Sequence, residues 1–304
     1  MGDKNAMTSL SGKRLVVFGC GYVGTAVAVA ALGRGMTVTA LTRNAVTAAA
    51  LRSKGIETVV ADLASRDWHG KIPPNPEFVL NCVSSGGGGL EAYRRSYVEG
   101  TRSMLEWAKR GGTMGTLVYT SSTSVYPQGD GVIVDESAPT PSSSASDRAR
   151  LLLQAEDEIR AAVGVCHRWF LLRLAGIYGP GRRHLVDQVR SGEVAGTGER
   201  HLNLVHCDDI VGAIMACCTA PSLVASDVFN VVDDVPTPKA DVVAWLAAEM
   251  GVPVPSFTGE PISAGRGNTP DRIISNTKIK ARLKWSPRHP TFRDGYGSGM
   301  LRGT

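Results

Sequence analysis

Gly19, Gly21 and Gly24 are the residues whose type and spacing point most directly to chemistry, in the run Gly19-Cys20-Gly21-Tyr22-Val23-Gly24. The apolar run Arg14–Phe18 precedes them, and Thr25 to Leu32, nearly all Ala and Val, follows. Strand, glycine turn and small-residue helix are the setting in which GxGxxG binds a dinucleotide. In that setting Gly19 allows the tight turn, Gly21 lets backbone approach a pyrophosphate, and Gly24 lets the helix lie close to the sheet. The free amides of the helix N-terminus would face the anion. An NAD site normally adds a carboxylate about 20 residues further on, for the ribose 2′-hydroxyl. No Asp or Glu occurs between Asp3 and Glu57, and the second strand-like run ends in Thr42-Arg43. A guanidinium there can pair with a 2′-phosphate, which favours NADP over NAD, although Arg43 also reads as an ordinary surface arginine. Asp62, after the third strand, fits either the adenine edge or the cap of the next turn.

The elements that must position these residues alternate. Strand-like runs fall at 14–18, 36–42, 56–61, 77–83, 116–121, 168–175 and 227–232, with helical runs at 24–33, 45–54, 94–110, 147–162 and 208–219. That order predicts an α/β fold, a Rossmann-type doubly wound parallel sheet with ligands at the carboxyl ends of its strands. Ser84 to Gly89, 137–146 and Pro253 to Pro270 read as loops. The expected organisation is a loose tail over 1–12, a nucleotide-binding domain over 13–180 plus 206–232, and a small C-terminal substrate lobe over 181–205 plus 233–304.

At 304 residues, 43% hydrophobic and 20% charged, the chain has the composition of a soluble globular protein. No apolar run approaches the ~20 residues of a membrane span, and the start lacks signal-peptide layout, so a cytoplasmic protein with no membrane partner is expected. The six cysteines show no metal spacing and read as reduced, buried thiols. A net charge of +5, spread along the chain, suits an anionic small molecule and shows no nucleic-acid module. A small-molecule substrate or effector is the expected partner, and a homodimer is left open.

Further along, Thr120-Ser121-Ser122-Thr123-Ser124-Val125-Tyr126, Leu172-Arg173 through Tyr178-Gly179-Pro180-Gly181, Asn203 through Ile210, Phe229-Asn230-Val231 and Arg272 through Gly295 occur in that order. Together they resemble the extended short-chain dehydrogenase/reductases, the NAD(P)-dependent epimerase/dehydratase family, over nearly the whole chain. The glycine loop departs from that family's usual TGxxGxxG and points to an atypical subgroup. The resemblance implies a cofactor-binding set of Gly19, Gly21, Tyr22, Val23, Gly24, Thr42, Arg43, Asp62, Leu63, Val83, Ser84, Ser121, Ala175 and Ile177. It places Ser85, Tyr126, Arg148, Tyr178 and Arg182 in the substrate region, with structural roles equally open for Tyr178 and Arg182. Asp208 or Asp209 can cap the helix beginning there, and His206 reads as an internal histidine with its hydrogen bonds satisfied.

The family's chemistry needs a tyrosine and, four residues on, a lysine on the same helix face. The lysine lowers the phenol's pKa so that it can trade a proton as hydride moves. By resemblance, Ser122 orients the substrate oxygen, while the tyrosine and lysine positions fall on Arg148 and Leu152. None of the seven tyrosines has a lysine four residues later, and no lysine occurs between Lys109 and Lys239. Losing a positioned acid costs on the order of 10²–10⁴ in rate. Two readings follow. One is an NADP(H)-linked epimerase-like oxidoreductase, acting by a different mechanism on a small substrate such as a sugar nucleotide or carbonyl compound. The other is an inactive NAD(P)-binding regulator or sensor. Tyr126, Asp147, Arg148 and His184 are the candidate replacement donors, each also readable as a surface or supporting residue.

Overall fold

The computed structural model describes residues 9–259, 270–297 and 300–301. Residues 1–8 of the expected tail and 260–269 of the expected loop lie outside the described residues. The chain opens with β1 (Arg14–Phe18), the helix α1 (Tyr22–Leu32), β2 (Thr37–Thr42), α2 (Ala45–Arg52), β3 (Glu57–Val60) and β4 (Phe78–Asn81). Asn44 caps α2 by accepting hydrogen bonds from the Val46 and Thr47 amides. After β4 come α3 (Gly89–Arg94), a π-helical turn at Arg95–Glu99, α4 (Gly100–Gly111) and the long β5 (Met114–Ser122). The short β6 (Val132–Val134), α5 (Asp147–Ala161), β7 (Cys166–Leu174) and β8 (Gly176–Tyr178) follow.

Seven of the strands form one parallel sheet ordered β12-β7-β5-β4-β1-β2-β3, where β12 spans Asp227–Val231. All seven expected strands are present in it. The central strands β1 and β4, buried along nearly their whole length, read as continuous apolar runs, as parallel strands must when helices cover both sides. Met104, Leu105 and Trp107 of α4 and Ile159 of α5 pack with Phe18 and Trp68 on one face. On the other, Val27, Ala28 and Ala31 of α1 pack with Ile210, Ala213 and Ile214 of α7 (Cys207–Thr219). The strand order reverses at β1, which pairs β2 on one side and β4 on the other. Ligands of such sheets bind at that switch point.

The lobe contributes α6 (His184–Ser191), β9 (Glu193–Val194), β10 (His201–Leu202), β11 (Leu204–His206), β13 (Thr237–Pro238), α8 (Lys239–Met250), β14 (Ser256–Phe257), β15 (Arg272–Ile274), α9 (Thr277–Leu283) and α10 (Phe292–Gly297). Val186, Val189, Val243 and Leu246 form its own apolar centre with Phe292 and Tyr296. Ile274, Ile279 and Trp285 instead join the main core, and β15 pairs in parallel with β6. The returning C-terminal segment therefore ties lobe to sheet.

Candidate nucleotide-binding and active site

The glycine turn sits at the switch point, and its geometry excludes side chains at two of the three glycines. Gly19 has φ +93°, and a β-carbon there would stand 2.6 Å from the Val83 backbone. A β-carbon on Gly24 would lie 2.2 Å from the Gly19 carbonyl oxygen and 2.8 Å from Cys82 Sγ. Gly21 has nothing within 4 Å of that position, so its open side is where an anion can approach backbone. Gly21 also precedes α1 without any side-chain cap, which leaves the first amides of the helix available. A tight turn, an open side and an uncapped 11-residue helix together fit a dinucleotide pyrophosphate. Tyr22 and Val23, half-buried in the first turn of α1, border the same opening.

At the adenosine end, Thr42 closes β2 with its Oγ1 accepting from the Asn44 amide at 3.2 Å. Arg43 is exposed, and its guanidinium donates a single long bond, 3.4 Å, to the Ser85 carbonyl. Ser84 is exposed beside it, while Val83 is half-buried with its amide donating to Asn81 Oδ1. Asp62 has both oxygens engaged, one by the Ala64 amide at 2.9 Å and one by Arg95 Nε at 2.9 Å. Burial works to raise its pKa, but those two bonds outweigh it and hold the carboxyl below its ordinary value. Of the two sequence readings of Asp62, the turn cap is the one seen. Leu63 buries its side chain against Gly100, leaving only backbone for a ligand.

The carboxyl end of β5 separates its two serines. Ser121 donates to Glu156 Oε1 at 2.6 Å inside the protein. Glu156, fully buried, also accepts from Arg173 Nε and Nη2 (3.1 and 2.7 Å) and from Arg160 at 2.7 Å. Burial opposes the charge, yet Arg173 and Ser121 hold the Glu156 pKa below its ordinary value. Ser122 is half-buried at the strand end, with Oγ accepting from the Ser124 amide at 3.1 Å. Leu152 lies in the core, 1% exposed, so no polar group stands at that position of α5. Arg148, half-buried in the first turn of α5, sits over the Tyr93 ring at 5.6 Å.

The remaining candidates divide between the interior and the surface. Tyr126 is 1% exposed and donates to Asn230 Oδ1 at 2.8 Å, beneath the Arg173 guanidinium. Tyr178 is 3% exposed and stacked on Tyr296. Neither phenol is presented to solvent. Asp147 pairs with Arg150, and His184 faces Gln188 on the surface of α6. Ala175 is buried with its amide on the Val231 carbonyl, and Ile177 is half-buried in β8. Arg182 is exposed, its guanidinium 5.8 Å above the Tyr22 ring.

His206 corrects one expectation. It, and neither aspartate, caps α7, Nδ1 accepting from the Asp208 amide at 3.2 Å, while Nε2 is buried without a partner. A histidine in the β-region just before a helix presents its ring nitrogen to the first amides, as a shorter acceptor would. Asp209 serves the C-terminal segment instead, accepting from the Arg288 and His289 amides. His206, Asp208 and His289 bring ligand-type atoms within 4.8 Å of one another, with Nδ1 of both rings already engaged, by the Asp208 amide and by Asp209.

Sequence reasoning missed Tyr93 and Tyr97, one helical turn apart after the glycine run. Their rings lie 4.4 Å apart, on the segment that packs against α5. The signal available was the i, i+4 spacing itself.

With this geometry in place, comparison with known proteins defines the class. The chain belongs to the NAD dependent epimerase/dehydratase family, whose model matches residues 15–231. It is 27% identical to the protein YeeZ of Escherichia coli K12 over 91% of this chain and 97% of that one. It is also 27% identical to the 3-diazoavenalumate denitrifying reductase of a Streptomyces species, over 93% of this chain and 98% of that one. Among solved structures, a functionally unknown conserved protein from Silicibacter pomeroyi aligns with TM-score 0.75 at 25% identity, covering 96% of this chain and 99% of that one. The UDP-glucuronic acid 4-epimerase of Bacillus cereus, solved with UDP-glucuronic acid and NAD, shares the fold at TM-score 0.80 and 17% identity, covering 94% and 97%.

Proposed function

We propose that this protein binds NADP(H) across the β1–β4 crevice. There it acts as an epimerase/dehydratase-type oxidoreductase on a small molecule bearing a carbonyl or oxidisable hydroxyl, such as a sugar nucleotide. The observation that carries the reading is the glycine turn, closed at Gly19 and Gly24 and open at Gly21. A bound nicotinamide would supply hydride transfer. Around it, Gly21 and the α1 amides hold the pyrophosphate, and Arg43 takes the 2′-phosphate that an acidic residue would repel. This departs from the NAD bound in the Bacillus cereus structure. Ser122 orients the substrate oxygen from the end of β5. The family's tyrosine and lysine are replaced by Arg148 and Leu152, so the proton follows another route.

A screen of aldehydes, ketones and sugar nucleotides for NADPH consumption, run on wild type and Ser122→Ala, tests the assignment. Turnover that drops by about 10²-fold in the variant supports Ser122 as the orienting group. Turnover unchanged in the variant removes it. Tight NADPH binding with no turnover of any compound would identify a cofactor-bound regulator instead.

A further inference from the structure

Three half-buried polar side chains converge where β4 and β5 end. Tyr97 lies in the π-helical turn Arg95–Glu99, a geometry that recurs at functional sites because it re-aims side chains out of helical register. Tyr93, one turn earlier in α3, holds its ring 4.4 Å from that of Tyr97. Arg148 reaches across from α5 to stand over Tyr93. The Ser85 backbone, the Tyr93 phenol and the Arg148 guanidinium are the neighbours that act on the Tyr97 hydroxyl. Ser85 follows β4, and Ser122 ends the neighbouring β5, whose Tyr119 pairs in register with Asn81. The phenol thus stands on the same edge of the sheet as the residue that would orient a substrate oxygen. Tyr119, 2% exposed, places a hydroxyl without a partner beneath it.

We propose that Tyr97 is the proton donor of this cleft, with Tyr93 and Arg148 as positioning residues that hold its phenol and supply the positive charge. The proposal rests on the nicotinamide reading given above. It replaces a tyrosine–lysine pair within one helix by a tyrosine–arginine pair assembled across two. In the reducing direction, the substrate's carbonyl carbon takes the hydride of the reduced nicotinamide, and the C=O π pair moves to oxygen. That oxygen takes the Tyr97 Oη proton, and the phenolate regains a proton from solvent. The nicotinamide is oxidised and the carbonyl reduced. Burial, and the neighbouring Tyr93, push the Tyr97 pKa above that of an ordinary phenol, while Arg148 opposes them. The group is therefore protonated at neutral pH, as an acid must be.

The test uses the full chain with NADPH and 9,10-phenanthrenequinone plus a set of activated benzaldehydes as carbonyl probes. NADPH affinity of Tyr97→Phe should equal wild type, which reports an intact fold. Its reduction rate should fall by about 10²–10⁴-fold. Between about pH 6 and pH 9 the wild-type rate should stay flat, while the variant's rate should fall as pH rises because its proton must come from solvent. Tyr93→Phe should lose less rate and keep the flat profile. A Tyr97→Phe rate within about threefold of wild type overturns the assignment. So does a wild type that binds NADPH yet reduces none of the probes, because an acid beside a bound nicotinamide must act on an activated carbonyl. A wild type that binds no NADPH overturns the nicotinamide reading itself, and this assignment with it.

Discussion

A single missing methyl group decides the glycine turn. At Gly24 the β-carbon of alanine would be driven to 2.2 Å from a backbone oxygen that cannot swing away. Gly24→Ala should therefore separate α1 from β1 and weaken nicotinamide-cofactor binding by at least about tenfold, checked by fluorescence titration; unchanged binding would sever the turn from the site. These glycines were legible in sequence because flanking residues specify strand and helix on either side. The spacing of Tyr93 and Tyr97 was visible in sequence, but the π-helical turn that sets the place of Tyr97 was not. The cap of α7 was misread for a related reason. Two aspartates at a helix start look like caps, and only the chain's return at Arg288 and His289 draws Asp209 elsewhere.

Between elements, Glu156 is the point where α5, β5 and β7 meet. Its carboxylate takes Ser121 from β5, Arg173 from β7 and Arg160 from its own helix. Glu156→Gln keeps the shape but leaves the Arg173 guanidinium, 4% exposed, without its counter-charge. A loss of about 3–5 kcal/mol in unfolding free energy is expected by urea denaturation; a loss below ~1 kcal/mol would show that Arg173 finds compensation elsewhere. Because this network ends beside Ser122, the same variant should also lower turnover. All seven sheet strands were legible from strand–helix alternation. The helices α6 and α8 were not: α6 shares the β7–β12 crossing with α7, which alone satisfies the alternation, and α8 follows the last sheet strand. The buried network was equally invisible, since it joins residues 121, 156 and 173 only once the sheet has formed.

Over the whole molecule, lobe and sheet meet near Asp233, 3% exposed, with Oδ1 unpartnered. Burial first, then Asp234 and Asp209, push its pKa from 3.8 up to about 8. Its folded value thus lies above its unfolded one, so between about pH 4 and pH 8 the native state binds the extra proton. Stability contributed there falls as pH rises through that window. Asp233→Asn should flatten the decline and raise the melting temperature at pH 8 by about 5 °C, with little effect near pH 4. An equal shift at both pH values would locate the effect in packing rather than in ionisation. The C-terminal segment is anchored to α7 through Asp209 and to β6 through β15, and the switch point at β1, between β2 and β4, is where ligands of such sheets bind.

The most direct measurement of that claim is isothermal titration of wild type and Arg43→Ala with NADPH and with NADH. Wild type should bind NADPH at least about tenfold more tightly than NADH, and Arg43→Ala should erase this margin while leaving NADH affinity unchanged. Wild type binding NADH as tightly as NADPH, or Arg43→Ala keeping the preference, would contradict it.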